Sequence, residues 1–120
     1  MPLITNGFES IQQLRRHFGE HGDDFRASNP EEYEQMADAF LGGNKPEGVH
    51  ECVRRCGARL RYDPHSEAYG VLDAQFVIRT YYKPVPCSRV PFHEREAARQ
   101  AGRCHKQPTN LVYFTLECQK

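Results

Sequence analysis

The sequence is 120 residues long, enough for one hydrophobic core and too short for two. Its 38% hydrophobic and 27% charged residues suit a folded globule better than a disordered tail, and no apolar run nears the roughly 18–20 residues that a bilayer span requires. The formal net charge of zero counts against a generic nucleic-acid binder, yet it averages two unlike halves: residues 1–50 carry 4 Lys/Arg and 9 Asp/Glu, residues 51–120 carry 12 and 7.

Such a bipolar surface either sets phosphates against the second half or leaves two solvated faces. Residues 1–6 show no basic region and no long apolar stretch, so no signal peptide is expected. Export would then rely on fusion behind a larger secreted chain.

Phe8, Ile11, Leu14 and Phe18 recur at helical spacing and predict a first helix over about 8–18, punctuated by Gly19 and Gly22. If the turn continues, His17 and His21 project from one side, at the edge of the apolar stripe. A second helix follows over about 30–41. Ser28 or Asn29 caps it, Pro30 opens it, and Tyr33, Met36, Ala37, Phe40 and Leu41 form its apolar face before Gly42-Gly43. Residues 44–48 read as a loop, and a short helical turn is expected over 49–56.

From Ala58 the period changes to two. Leu60 and Tyr62 alternate with Arg59 and Arg61, and Asp63-Pro64-His65-Ser66 is a turn. A strand over 68–72, a reversal at Asp73-Ala74 and a strong strand over 75–83 complete a meander, with Phe76, Ile78, Thr80 and Tyr82 expected on one face. Pro84 and Pro86 end it. Helices followed by an antiparallel meander predict an α+β fold, N-terminal helices on a sheet, within one domain over 1–120. Residues 92–103 read as helix and 111–116 as a further strand.

The five cysteines, Cys52, Cys56, Cys87, Cys104 and Cys118, are odd in number and irregular in spacing. They read as reduced, buried thiols, with neither a disulfide framework nor a zinc-finger spacing.

The chemistry-bearing residues have alternatives. His17 and His21 suit an acid/base pair, a metal site or plain surface. The zinc pattern His-Glu-x-x-His is absent, since Glu20 precedes the second histidine. Arg59 and Arg61 share a strand face, where a guanidinium holds a phosphate in two hydrogen bonds or pairs with a carboxylate. Thr80 interrupts an apolar face, and its hydroxyl needs a phosphate or a carbonyl. Tyr81 and Tyr82 stack on bases or fill the core.

Taken in order, His17-Phe18-x-x-His21-Gly22-x-x-Phe25, Glu32-Tyr33-x-x-x-Ala37-x-x-Phe40, Arg61-Tyr62-Asp63, Tyr69-Gly70-Val71 and Ile78-Arg79-Thr80-Tyr81-Tyr82-Lys83-Pro84 resemble the barnase/EndoU/colicin/RelE-like (BECR) nucleases of bacterial polymorphic toxins and phage-associated proteins. The resemblance spans 8–84 and leaves 85–120 as an unassigned extension. It implies a toxin that cleaves RNA, such as tRNA, without metal or cofactor. The ribose 2′-hydroxyl attacks the adjacent phosphate and leaves a 2′,3′-cyclic phosphate. It implies His17, His21, Arg61 and Thr80 as catalytic residues in one cleft, and Tyr82, Lys83 and Arg59 as substrate contacts. It further implies a monomer acting in the bacterial cytoplasm after delivery, no membrane partner, and a cognate immunity protein. The alternative is a non-catalytic module that binds RNA or protein through the same surface.

Overall fold

The structure, a computed structural model, describes residues 2–120. Four helices and a four-stranded antiparallel sheet make it α+β, as the periodicities predict. Helix α1 (Ile11–His21) begins after Ser10, whose hydroxyl accepts the Gln13 N–H, and it reaches His21 where the sequence suggests Phe18. Phe8 lies ahead of it, bridged to the sheet at Ile78. After a 3-10 turn (Gly22–Phe25), Asn29 caps α2 (Pro30–Gly42) by accepting the Glu32 N–H.

The sheet has the order β1-β2-β3-β4, with β1 His50–Val53, β2 Arg59–Tyr62, β3 Tyr69–Leu72 and β4 Ile78–Tyr82. On one face α2 lays Tyr33, Ala37 and Leu41 against Leu72, Ile78 and Tyr81, with Met36 and Phe40 packed at the margin. That is the apolar stripe read from its 3.6-residue spacing. The approach is close at Gly70, where an added Cβ would stand 3.0 Å from a Leu41 methyl.

The opposite face carries Leu60, Tyr62, Tyr69 and Val71, covered by Phe114 of α4 (Asn110–Cys118). Between the sheet and α4 the chain makes short 3-10 turns at Cys87–Arg89 and Phe92–Glu94, then α3 (Arg95–Gln100). Among the described residues no helix is long and apolar enough to cross a membrane.

Four local expectations need correction. Residues 49–56 contain strand β1 instead of a helical turn. Its residues are mostly exposed at the sheet edge, so no buried alternation marks them. The 92–103 helix is a 3-10 turn followed by only six helical residues. Residues 111–116 are helical, not extended. Thr109 caps them by accepting the Val112 N–H, and the buried positions Asn110 and Phe114 are four apart; Leu111, Val112 and Leu116 on the other sides disguise that period.

The fourth concerns the cysteines, which are not all reduced thiols. Cys52 is bridged to Cys118 and Cys87 to Cys104, leaving Cys56 free and exposed. The first bridge joins edge strand β1 to α4 across 66 residues, a proximity created by tertiary structure and absent from sequence spacing.

Candidate functional site

The strand carrying Thr80 is shorter than 75–83, and it bulges. Leu72 pairs with Ile78 while Val71 pairs with Thr80, so Arg79 is the extra residue. Phe76 falls in the preceding turn with φ 63°, outside the strand. The bulge reverses the pleat. Ile78 faces α2, whereas Thr80 and Tyr82 face α4, together with Tyr69 and Val71. The single face expected for Phe76, Ile78, Thr80 and Tyr82 therefore does not form.

Arg61 points the other way. Only 4% exposed, it pairs with Glu51 at 2.7 Å and donates to the carbonyls of Phe40 and Gly43 at 3.0 and 2.7 Å. Arg59 beside it donates to the Leu41 carbonyl and lies over the Phe76 ring. Both guanidiniums thus satisfy the orphan carbonyls at the end of α2. Arg61 and Thr80 occupy opposite faces of the sheet, and the four residues named from the resemblance do not meet in one cleft.

His17 and His21 share one side of α1, with ring centroids 6.1 Å apart, but their surroundings differ. His17 is buried against Phe8. Its Nε2 lies 3.2 Å from an Arg16 nitrogen, which can only donate, so Nε2 accepts and the proton sits on Nδ1. That Nδ1 is buried without a partner. Burial, then the positive charge of Arg16, pushes the His17 pKa down to about 4.

His21 opens onto a cleft of about 660 Å³ between the end of α1, the end of β4 and the loop that follows α3. Its ring stacks on Tyr82 at 5.1 Å. Burial lowers its pKa below 6.5, while the carboxylates of Glu20 and Asp24 oppose that shift. Glu20 stands 3.5 Å from Nε2. Lys83 and Arg103 line the same cleft, and neither forms an ion pair among the described residues. Lys83 instead rests over the Phe25 ring at 5.4 Å.

The far wall comes from the extension. Tyr113 of α4 meets Tyr82 hydroxyl to hydroxyl at 2.5 Å, and His105 stacks on Tyr113 at 4.4 Å. His105 is fully engaged: Nδ1 accepts the Gln107 N–H, so Nε2 is the protonated nitrogen and donates to Asn110 Oδ1 at 2.8 Å. Asn110 in turn donates to the Pro84 carbonyl and to Glu67. Of the two histidines at this cleft, His21 is the one whose ring nitrogens are not both held by hydrogen bonds.

Thr80 lines a second cleft of about 460 Å³ with Arg54, Cys56 and Glu117, on the other side of the Tyr82–Tyr113 pair. The structure thus brings together His21, Tyr82 and Lys83 of the expected residues, adds Arg103 and Tyr113, and sets Thr80 just beyond a shared wall. Arg103, His105 and Tyr113 lie outside the 8–84 pattern. Among the described residues no three His, Cys, Asp or Glu side chains are grouped to hold a metal ion. No protein-family model and no curated protein matches this sequence.

Proposed function

We propose that the protein is an endoribonuclease of the BECR type that cleaves RNA by attack of the ribose 2′-hydroxyl on the adjacent phosphate. The observation that carries this reading is the cleft around His21. It joins a histidine held neutral near pH 7 to two cations that form no ion pair among the described residues. A neutral imidazole takes a proton from a 2′-hydroxyl, and ammonium and guanidinium groups stabilise the charge that builds on the phosphorane.

In this mechanism His21 accepts the 2′-hydroxyl proton as the O2′–P bond forms. Lys83 and Arg103 donate to the non-bridging oxygens. The P–O5′ bond breaks, and the 5′-oxygen takes a proton from solvent. The products are a 2′,3′-cyclic phosphate and a 5′-hydroxyl. Arg61, committed to α2, supports the sheet and does not contact substrate. His17 serves the core. The same reading makes the chain a monomeric toxin that acts on RNA such as tRNA in the bacterial cytoplasm after delivery, with an immunity protein for this cleft.

The test is incubation of purified protein with total RNA in EDTA, with the cleaved ends mapped. Cyclic-phosphate ends from the parent protein, and their loss in His21→Ala, are expected. Folded protein that binds RNA through Lys83 and Arg103 but leaves it intact would favour the non-catalytic module.

A further inference from the structure

The two clefts on the α4 side of the sheet are separated by a wall one residue pair thick. Tyr82 and Tyr113 line both, and the bond between their hydroxyls is the partition. His21 and Lys83 lie on one side, Thr80 and Arg54 on the other. Half of that partition belongs to α4, which comes from the 85–120 extension.

What α4 offers the sheet resembles what a nucleic acid would offer. Its Glu117 carboxylate and main-chain carbonyl occupy the Arg54 guanidinium at 3.3 and 2.8 Å, as a phosphate would. Its Phe114 and Tyr113 cover Tyr62 and Tyr69 and meet Tyr82. Those three tyrosines form an aromatic sheet face, the kind of platform on which single-stranded bases stack.

The helix is held along one side, by Asn110, Tyr113, Phe114 and Glu117. Of its nine residues only Asn110 and Phe114 are buried, and a helix of this length is marginal without tertiary support. The covalent tie is Cys52–Cys118, at its last turn.

We propose that α4 is a disulfide-tethered strap over a groove for single-stranded RNA, and that reduction of Cys52–Cys118 frees it. The strap's effect on cleavage rests on the nuclease reading above; its effect on RNA binding does not. The reductant is a dithiol. One thiolate attacks a bridge sulfur, a mixed disulfide forms, and the second thiol closes the reductant's own disulfide. The bridge gains two electrons and two protons and becomes the thiols of Cys52 and Cys118. With α4 displaced, Arg54 and the Tyr82 hydroxyl lose their internal partners and the two clefts become one groove from His21 to Thr80. In an oxidising compartment the groove stays covered, and in a reducing cytosol it opens.

The experiment compares oxidised protein, dithiothreitol-reduced protein and a Cys52→Ser/Cys118→Ser variant, all in a Cys56→Ser background that removes the free thiol. Amide hydrogen exchange reports on α4 and on the sheet. Fluorescence anisotropy with a single-stranded 2′-O-methyl RNA oligonucleotide, which has no attacking hydroxyl, reports on binding. Reduction and the double variant are expected to speed exchange across 110–118, to leave β2, β3 and β4 protected, and to tighten binding by about tenfold or more, the effect of one freed charge-assisted phosphate contact. Glu117→Gln with the bridge intact should tighten binding in the same direction by a smaller factor. The proposal is overturned if α4 stays protected on reduction, if the whole sheet loses protection with it, or if α4 is released and binding does not change. Tighter binding without cleavage of ordinary RNA in any form would support the strap and refute the nuclease.

Discussion

Tyr82, at the end of β4, and Tyr113, on α4, meet hydroxyl to hydroxyl at 2.5 Å, and each carries a histidine ring stacked on it. The pair therefore fixes the spacing of His21 and His105 across the cleft. Burial pushes both phenol pKa values up, so both hydroxyls stay protonated at physiological pH and one donates to the other. Tyr113→Phe keeps the ring over His105 and deletes only the bond. A loss of about 0.5–1.5 kcal/mol is expected, read as a lower urea midpoint at unchanged slope. A loss several times larger would mean that the hydroxyl does more than close this pair.

Arg61→Ala should act on stability before it acts on chemistry. It removes the nearer of the two arginines at Glu51 and leaves the Phe40 and Gly43 carbonyls without this donor. Losing a charged donor to two carbonyls and a partly exposed carboxylate costs about 1–3 kcal/mol. Thermal melting should show a drop in midpoint, with any activity lost in proportion to the folded fraction. A variant with the parental melting curve and no RNA cleavage would return Arg61 to the active site.

How far the sequence reveals this molecule follows from which forces act locally. Helix α2 and strand β2 are legible because their apolar positions repeat at 3.6 or 2 residues against the two cores that flank the sheet, and β3 and β4 because apolar, β-favouring runs are bounded by turn residues. Strand β1 is largely exposed and α4 is apolar on several sides, so neither shows a period that names it. His21, Tyr82 and Lys83, which line one cleft, stand out in the sequence because one motif and one strand end carry them. Arg61 is drawn to Glu51 and the end of α2, and Thr80 is displaced by a separate local cause. The extra residue Arg79 flips the pleat, and period-2 reasoning has no means of seeing a bulge. The contribution of Arg103, His105 and Tyr113 depends on a chain reversal held by Cys87–Cys104 and by the Asn110 network, both formed only in the folded state.

His17 should make the protein acid-sensitive. Its folded-state pKa is about 4 against an ordinary 6.5, so the unfolded chain binds the extra proton between those values. Stability from this group is full above pH 6.5 and is lost as pH falls toward 4, by up to about 3 kcal/mol. His17→Leu removes both the titration and the unpartnered Nδ1–H. The variant should match or exceed the parent at pH 5 and show a flatter slope of unfolding free energy from pH 7 to 4.5. An unchanged slope would locate the acid sensitivity elsewhere.

The pH–rate profile of RNA cleavage should report His21. A base works in its neutral form, and burial lowers the His21 pKa below 6.5, so kcat/KM should rise with pH on an acid limb below that value and level off before neutrality. The neighbouring charges give the limb a signature. Glu20 and Asp24 favour the protonated ring and Arg16 disfavours it. Glu20→Gln should therefore move the midpoint to lower pH, and Arg16→Gln should move it higher. Both sites lie on the exposed side of α1, where substitution costs little stability. His21→Ala should lower the plateau by about 10²–10⁴ while leaving the melting temperature near the parental value. A nuclease whose acid limb ignored both charge changes, or survived the loss of His21, would draw its base from another residue.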